Sequence, residues 1–416
     1  MAAPMMRRAS AVAPDGVARL LAGVRDDGRP VSLHEHLAVY GPLEHHGAGL
    51  IAVLEASRLR GRGGGAFPTG EKLAAVAAQR GRRVVVVNAA EGEPASSKDR
   101  ALLRLVPHLV LDGAASAAAA IGAREIVIGL ARGRSGERDA LVAAVKERRD
   151  KVRWRMKAVP DGFVVGEETA LLNALSGKAP KPTMKPPYPF ERGLEGAPTL
   201  VQNAETLAHV ALIARFGARW FRSLGIEAEP GTALVTLSGA VARPGVYEIE
   251  LGTRVSELIE QAGGATEPLS AFLVGGYFGG WTRDPAHRLT AAGGLGAGVV
   301  VAFPTGACGV RESARVTRYL ANESAGQCGP CVHGLSALAS GLEEIAVAGR
   351  SPDRRIQLAR WAQQVTARGA CRHPDGAARF VASTLATFED ELSLHLHKGR
   401  CSGEDRGVLP VGGARR

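Results

Sequence analysis

The chain has 416 residues, with 52 lysines and arginines against 41 aspartates and glutamates, a formal charge of +11. That length predicts two to four domains, and a hydrophobic content of 45% is ample for packed cores. No apolar run reaches the ~20 residues needed to span a bilayer, since Leu111 to Ile121 is interrupted by Asp112. The apolar part of residues 1–14 is too short for a secretory signal. The expected location is the cytoplasm, or the inner face of a membrane reached through partners. A basic face would steer an acidic partner, such as a small electron carrier, towards the chain. Nucleic acid is the second candidate partner but has no recognition motif to support it, and the compositional habit of an Ala- and Arg-rich proteome accounts for the charge better than either. The five cysteines are an odd number, and Cys328 and Cys331 form a Cys-x-x-Cys pair. In a reducing compartment such a pair points to metal or redox chemistry rather than to disulfides.

In chain order, residues 1–14 read as disordered, and Val17–Val24 and Leu33–Tyr40 as short helices. His34, Glu35, His36, Glu44, His45 and His46 cluster there. No histidine pair stands at helical spacing on an apolar scaffold, so they read as surface histidines rather than a metal site. The segment Gly61 to Lys72 then places five glycines, Phe67, Arg62 and Lys72 in twelve positions. Glycines let backbone N–H groups converge on an anion, which suggests a phosphate-bearing cofactor; a solvent-exposed linker is the alternative. A β-branched run, Val84 to Val87, reads as a buried strand. It runs into Asn88-Ala89-Ala90-Glu91-Gly92-Glu93, at the carboxyl end of the strand where open α/β sheets bind ligands. A helix over 98–120, a strand over 125–130, a helix over 136–149 and a strand over 153–159 follow. This alternation predicts a mainly parallel sheet with helices on both faces. Gly166-Glu167-Glu168-Thr169 opens another helix, where two carboxylates suit the helix dipole. Short strands over 233–238, 246–251 and 272–274, with a helix over 253–263, form a second module. Its Gly275–Gly280 stretch reads as turns. From 313 to 397 the period is helical, with helices over 314–322, 332–347, 354–367 and 378–395 that suggest a four-helix bundle.

Gly61–Lys72, Asn88–Arg100 and Gly166–Thr169, in that order, resemble the NADH- and FMN-binding flavoprotein subunit (51 kDa type) of bacterial NADH:quinone oxidoreductase, respiratory complex I. Equivalent subunits occur in NAD-linked hydrogenases and formate dehydrogenases. The resemblance covers about residues 30 to 395. It implies an α/β protein with a Rossmann-like FMN-binding domain, a β-grasp soluble-ligand-binding domain and a C-terminal helical iron–sulfur domain. The corresponding boundaries are 1–60 for an N-terminal arm, 61–228, 229–305 and 306–400 for the three domains, and 401–416 for a disordered tail. Hydride would pass from NADH to FMN, and single electrons onward to a cluster or to a redox partner, either ferredoxin-like or a membrane oxidoreductase subunit. The alternatives are an FMN protein that exchanges electrons with such a partner without NADH, and a cofactor-free assembly subunit. No side chain need act as a catalytic acid or base.

The resemblance assigns Gly61, Arg62, Gly63, Lys72, Asn88, Glu91, Gly92, Gly166, Glu167, Gln202, Asn203 and Thr206 to the flavin side. It assigns Phe67, Glu93, Glu168, Lys185 and Tyr188 to the nucleotide face, with Cys328, Cys331 and Cys371 as cluster ligands. Several positions depart from the family pattern. Val165 replaces a cysteine, Tyr188 a phenylalanine, Gln202 an asparagine, Ala90 an aspartate and Ala75 an adenine-stacking aromatic. Ala325 stands where the first cluster cysteine belongs. A three-thiolate cluster, a remote ligand such as Cys308 or Cys401, and no cluster at all are the three outcomes this leaves open.

Overall fold

A computed structural model describes residues 18–43, 46–347 and 353–411. The chain forms two units. The first takes the residues up to Gly92, Ser97–Val235 and Gly245–Thr253; the second takes Glu93–Ser96, Thr236–Pro244 and the residues from Arg254. The segment 1–14, expected to be disordered, and Glu44 and His45 lie outside the described residues.

In the first unit the expected helix at 17–24 is absent over the described residues 18–24. The segment is held instead by Glu248, whose Oε2 accepts from the N–H groups of Arg19 (2.9 Å) and Leu20 (2.8 Å). Helix α1 (Leu33–Tyr40) begins with a capping box between Ser32 and Glu35. Helix α2 (Gly49–Ser57), the glycine-rich loop and α3 (Thr69–Ala77) lead into β1 (Val84–Ala89), whose four valines are fully buried. The expected single helix over 98–120 is two, α4 (Lys98–Leu105) and α5 (Pro107–Ile121), bent by 96°. Proline disfavours the helical region for the residue before it, and Val106 accordingly sits at φ −129°, ψ 54°.

Strand β2 (Glu125–Ala131), helix α6 (Ser135–Glu147), strand β3 (Arg153–Val159), helix α7 (Glu168–Leu175), strand β4 (Thr199–Asn203) and helix α8 (Ala204–Phe221) complete the α/β core. The sheet order is β3-β2-β1-β4 with every pair parallel. Strands β1 to β3 progress in one direction, and β4 returns to the other side of β1. The order therefore reverses between β1 and β4, and there Asn88 pairs in register with Asn203. All of α5 except Ala119 is buried. It packs on α8 so closely that a Cβ at Gly113 would lie 1.7 Å from the Leu207 carbonyl oxygen.

Within α5, Asp112 is buried and ion-pairs with His36 (2.7 Å), Arg148 (2.6 Å) and Arg215. His36, expected on the surface, is thus a core residue: the Asp112 carboxylate draws its ring inward. Removing one partner of a buried charge pair strands the other. Asp112→Ala is expected to destabilise the chain by about 3–5 kcal/mol, read as a lowered urea midpoint; a loss below about 1 kcal/mol would count against the pairing.

Strand β5 (Thr232–Gly239) begins in the first unit and ends in the second, and β6 (Gly245–Glu250) lies beside it. The second unit continues with α9 (Val255–Gln261), β7 (Leu269–Val274), β8 (Gly280–Thr282) and β9 (Val299–Pro304), in the order β5-β9-β7-β8. Strand β9 pairs parallel with β5 and antiparallel with β7. Sequence reading found neither β8, which is three residues long, nor β9.

Five helices follow: α10 (Gly309–Asn322), α11 (Leu335–Val347), α12 (Arg354–Val365), α13 (His373–Thr387) and α14 (Glu389–Lys398). The expected fourth helix is two, because Phe388 at φ −105°, ψ 33° leaves the helical region and buries its ring. The tail, expected to be disordered from 401, is held through 411. Leu409 is fully buried, and the N–H groups of Val408 and Leu409 donate to the Glu312 carboxylate at 3.0 and 3.2 Å. Among the described residues no single helix is long and apolar enough to cross a membrane.

Candidate functional site

The glycine-rich loop is pinched at its base. Gly61 N–H donates to the Phe67 carbonyl at 2.9 Å, and Thr69 N–H to the Leu59 carbonyl at 2.9 Å. Gly63, Gly64 and Gly65 project from this base and are exposed. Among the described residues the N–H groups of Gly63 and Gly64 have no acceptor. Gly63 approaches α8 so nearly that an added Cβ would come within 3.2 Å of the Asn203 Cβ. Arg62 behaves differently from its neighbours. Its N–H donates to Thr206 Oγ1 at 2.8 Å, and its guanidinium turns inward, donating to the Thr232 carbonyl at 3.0 Å and facing Glu205 at 3.9 Å. The side chain expected to face a phosphate is an anchor for the loop.

Beneath the loop lies a buried charge network that the sequence reading missed. Lys98 Nζ bridges Asp99 and Glu205, at 2.8 Å to each. Asn203 Nδ2 donates to Asp99 Oδ2 at 2.5 Å, while Asn203 Oδ1 caps α8 by accepting from Glu205 and Thr206 N–H. The Asn203 amide is thereby used on both sides. Burial raises the Asp99 carboxyl above its ordinary range despite Lys98. Against the same cost of burial, Lys98 and His209 hold Glu205 down to about 2. The only sequence signal was the run Lys98-Asp99 after the strand end.

Glu91 also serves the fold. At φ 38°, its carboxylate accepts from the N–H groups of Asp99 (3.0 Å) and Arg100 (3.1 Å), in the first turn of α4. Asn88 Nδ2 donates to the Gly166 carbonyl at 2.8 Å, joining the end of β1 to the Gly166-Glu167-Glu168 turn. An added Cβ at Gly166 would sit 3.9 Å from Gly92 N. The two glutamates then divide. Glu167 is the N-cap of α7, accepting from Thr169 N (2.8 Å) and Ala170 N (2.9 Å). Glu168 joins Lys72 (3.0 Å) and Lys185 (2.5 Å), while Lys185 also lies 3.4 Å from Glu167. Against burial, the two ammoniums hold the Glu168 carboxyl below its ordinary range.

Two aromatic rings stand open: Phe67 is 55% exposed and Tyr188 44%, the latter stacked on Phe190 at 5.4 Å. Gln202, by contrast, is 5% exposed, and among the described residues its side-chain amide bonds to nothing. Glu93 belongs to the second unit, where its carboxylate accepts from the N–H groups of Tyr277 (2.8 Å) and Ala95 (3.3 Å).

The cysteines form two groups. Against burial, the N–H groups of Ala370 and Cys331 hold the Cys328 thiol below its ordinary range. Burial, with Cys328 and Cys371 close by, pushes Cys331 up to about 11. The neighbour Ala370 thus carries Cys371 to the Cys328–Cys331 turn, which continues into one π-helical turn, Pro330–Gly334. Cys308 and Cys401 form the other group, together with His395 rather than with the Cys328 turn.

Three family models match the chain: the Nuo51 FMN-binding domain over residues 54–212, the SLBB domain over 234–276 and the NADH-ubiquinone oxidoreductase-F iron–sulfur binding region over 311–395. The second F-type NADH-quinone oxidoreductase subunit of Rhizobium meliloti (strain 1021) is 32% identical over 415 residues, which is 93% of this chain and 96% of the relative. The chain belongs to the family of F-type NADH-quinone oxidoreductase subunits. The F-type subunit of Mycobacterium bovis is 34% identical over 390 residues, 87% of this chain and 88% of its own. Among solved structures, an NAD+-reducing [NiFe]-hydrogenase in the H2-reduced state matches at a TM-score of 0.77 and 31% identity. That match covers 84% of this chain and 62% of the hydrogenase chain.

The function read from the sequence, NADH oxidation at FMN with electron transfer to an iron–sulfur cluster, is that of this family, and the chain is a flavoprotein enzyme of this type. The residues present fit a flavin phosphate: glycine N–H groups without an acceptor among the described residues, an unbonded Gln202 amide and the ammoniums of Lys72 and Lys185, which Glu168 and Glu167 balance in charge. Of the departures from the family pattern, Ala90 is buried at 4% exposure, where an aspartate would need a partner. Ala75 lies on α3 and offers no ring.

Proposed function

We propose that FMN is held where the strand order reverses, between the ends of β1 and β4, and that NADH stacks on the open face carrying Phe67 and Tyr188. The observation that carries this reading is the in-register pair Asn88 and Asn203 at the two strand ends, with Gly63 lying against Asn203. Ligands of open α/β sheets sit in that crevice, in keeping with a Rossmann-like domain over 61–228. Gly61, Gly63, Gln202 and Lys72 would meet the flavin directly. Arg62, Asn203, Thr206, Glu91 and Glu167 would position the backbone around it. Gly92 and Gly166 would let the two turns approach. Lys185, fixed by Glu168, would face the nucleotide. When bound, FMN supplies hydride-accepting and electron-splitting chemistry. The protein's own task is orientation, and no side chain here is required to move a proton.

For the chain beyond 228 we propose a β-grasp domain over 229–305, whose residues fall in both units, and a helical domain over 306–400 in which Cys328, Cys331 and Cys371 hold a cluster on three thiolates, Ala325 leaving the fourth position to a non-cysteine ligand or to a [3Fe–4S] form. The relatives are named as subunits, and we propose a redox partner, ferredoxin-like or a membrane oxidoreductase subunit, with the chain peripheral to the membrane.

An anaerobic visible spectrum of the full chain loaded with FMN tests this. Flavin absorbance is expected to survive gel filtration and to bleach with NADH. Retained flavin that ignores NADH would transfer the reading to an electron-carrier donor; a chain that takes no flavin would leave an assembly role. Lys185→Met is expected to raise KM for NADH about tenfold or more with flavin retained, as a lost charged contact does. An unchanged KM would remove Lys185 from the nucleotide face.

A further inference from the structure

Cys308, His395 and Cys401 lie outside the cofactor sites above. Their ligand atoms are all within 4.8 Å of one another, and Cys308 Sγ is 3.3 Å from His395 Nε2. In a tetrahedral site with zinc–sulfur bonds of about 2.3 Å and zinc–nitrogen bonds of about 2.0 Å, ligand atoms stand roughly 3.5–3.8 Å apart. The three atoms need close by no more than about 1 Å to reach that geometry. We propose that Cys308, His395 and Cys401 bind a single zinc ion, with a water in the fourth position.

Three further observations support the site. Cys308 is the N-cap of α10, its Sγ accepting from Arg311 N–H at 3.4 Å, which fixes the direction of the side chain towards His395. His395 is fully buried, its Nδ1 has no hydrogen-bond partner among the described residues, and its Nε2 is the ring atom that meets Cys308. Cys401 is held in place by its surroundings. Cys308 N–H donates to the Glu404 carbonyl at 2.8 Å, and Glu404 N–H to the Gly306 carbonyl at 2.9 Å. A Cβ at Gly403 would lie 2.7 Å from Cys308 N, so only glycine allows the tail to lie this close. The Glu391 carboxylate lies beside the Cys308 thiol and is engaged by α10, its Oε2 accepting from Gly309 N–H at 2.8 Å. Binding would release the two thiol protons and form two zinc–thiolate bonds and one zinc–imidazole bond.

The test uses the full chain carrying Cys328→Ser and Cys371→Ser, so that the cluster cysteines cannot take the metal. After exposure to zinc and desalting against a weak chelator, about one zinc per chain is expected, falling to roughly a tenth or less in Cys401→Ser and in His395→Gln. Cobalt in place of zinc should show thiolate-to-metal charge transfer that Cys401→Ser removes, a readout that does not depend on activity. Circular dichroism establishes that each variant is folded. Zinc retained by both folded variants would overturn the proposal. So would a parent chain that takes no zinc, including one whose non-reducing peptide map shows Cys308 joined to Cys401 as a disulfide.

Discussion

Replacing Glu205 with alanine is expected to lower the stability of the chain by about 3–5 kcal/mol, because it leaves the buried Lys98 and Arg62 without their shared carboxylate. Glu205 also accepts from Leu234 N–H at 2.8 Å through Oε1, so the substitution orphans a backbone donor as well. The pH dependence has a definite sign. The folded carboxyl is held down to about 2 from an ordinary 4.5, against burial, by Lys98, His209 and Arg62. A carboxyl depressed on folding stabilises fully above its unfolded value, and that stability is lost as the pH falls from 4.5 through about 2. The span corresponds to about 3 kcal/mol. Urea denaturation at neutral pH and near pH 3 measures both effects. Glu205→Ala should unfold at a much lower midpoint at neutral pH, and the gap to the parent should narrow in acid. A gap that is small, or that widens in acid, would show that the network does not carry the stability assigned to it.

Cys331→Ser is expected to abolish the iron–sulfur signal while leaving bound FMN in place. Three thiolates are already one fewer than a cubane normally has, and removing a second position leaves two. Iron per chain after reconstitution should fall to roughly a tenth of the parent. Cys401→Ser is the informative control. Cys401 lies with Cys308 and His395, so its loss should leave iron content and the reduced-state EPR spectrum unchanged. Loss of iron in Cys401→Ser as well would make it a remote cluster ligand.

Much of the first unit was legible in the sequence, because buried parallel strands read as β-branched runs and amphipathic helices as 3.6-residue periods. The misses have separate physical causes. A single helix over 98–120 ignored Pro107, whose ring acts on Val106 rather than on itself. His36 looked like a surface residue because its partner, Asp112, is 76 residues away. The tail looked disordered because its anchors, Glu312 and Tyr277, lie far back in the chain. At the site, the pattern of residue types was readable but their division of labour was not. Gly166-Glu167-Glu168 looks like two equivalent carboxylates, yet one completes a helix and the other meets two lysines. Arg62 looks like a phosphate ligand and is an anchor. Such distinctions depend on side-chain direction, which spacing alone does not carry.

The glycine-rich loop and the centre of the core meet on consecutive residues of α8. Thr206 accepts from the Arg62 amide, and the next carbonyl, that of Leu207, is the one against which Gly113 of α5 is pressed. The most flexible-looking stretch of the chain is therefore moored, at Arg62, to its least compressible contact. Gly63–Gly65 lie beyond that mooring and are exposed, while Arg62 is tied to Thr206 and Thr232. The loop tip and the α5–α8 contact are thereby joined through Arg62 and Thr206 by a single hydrogen bond, donated by the Arg62 backbone amide.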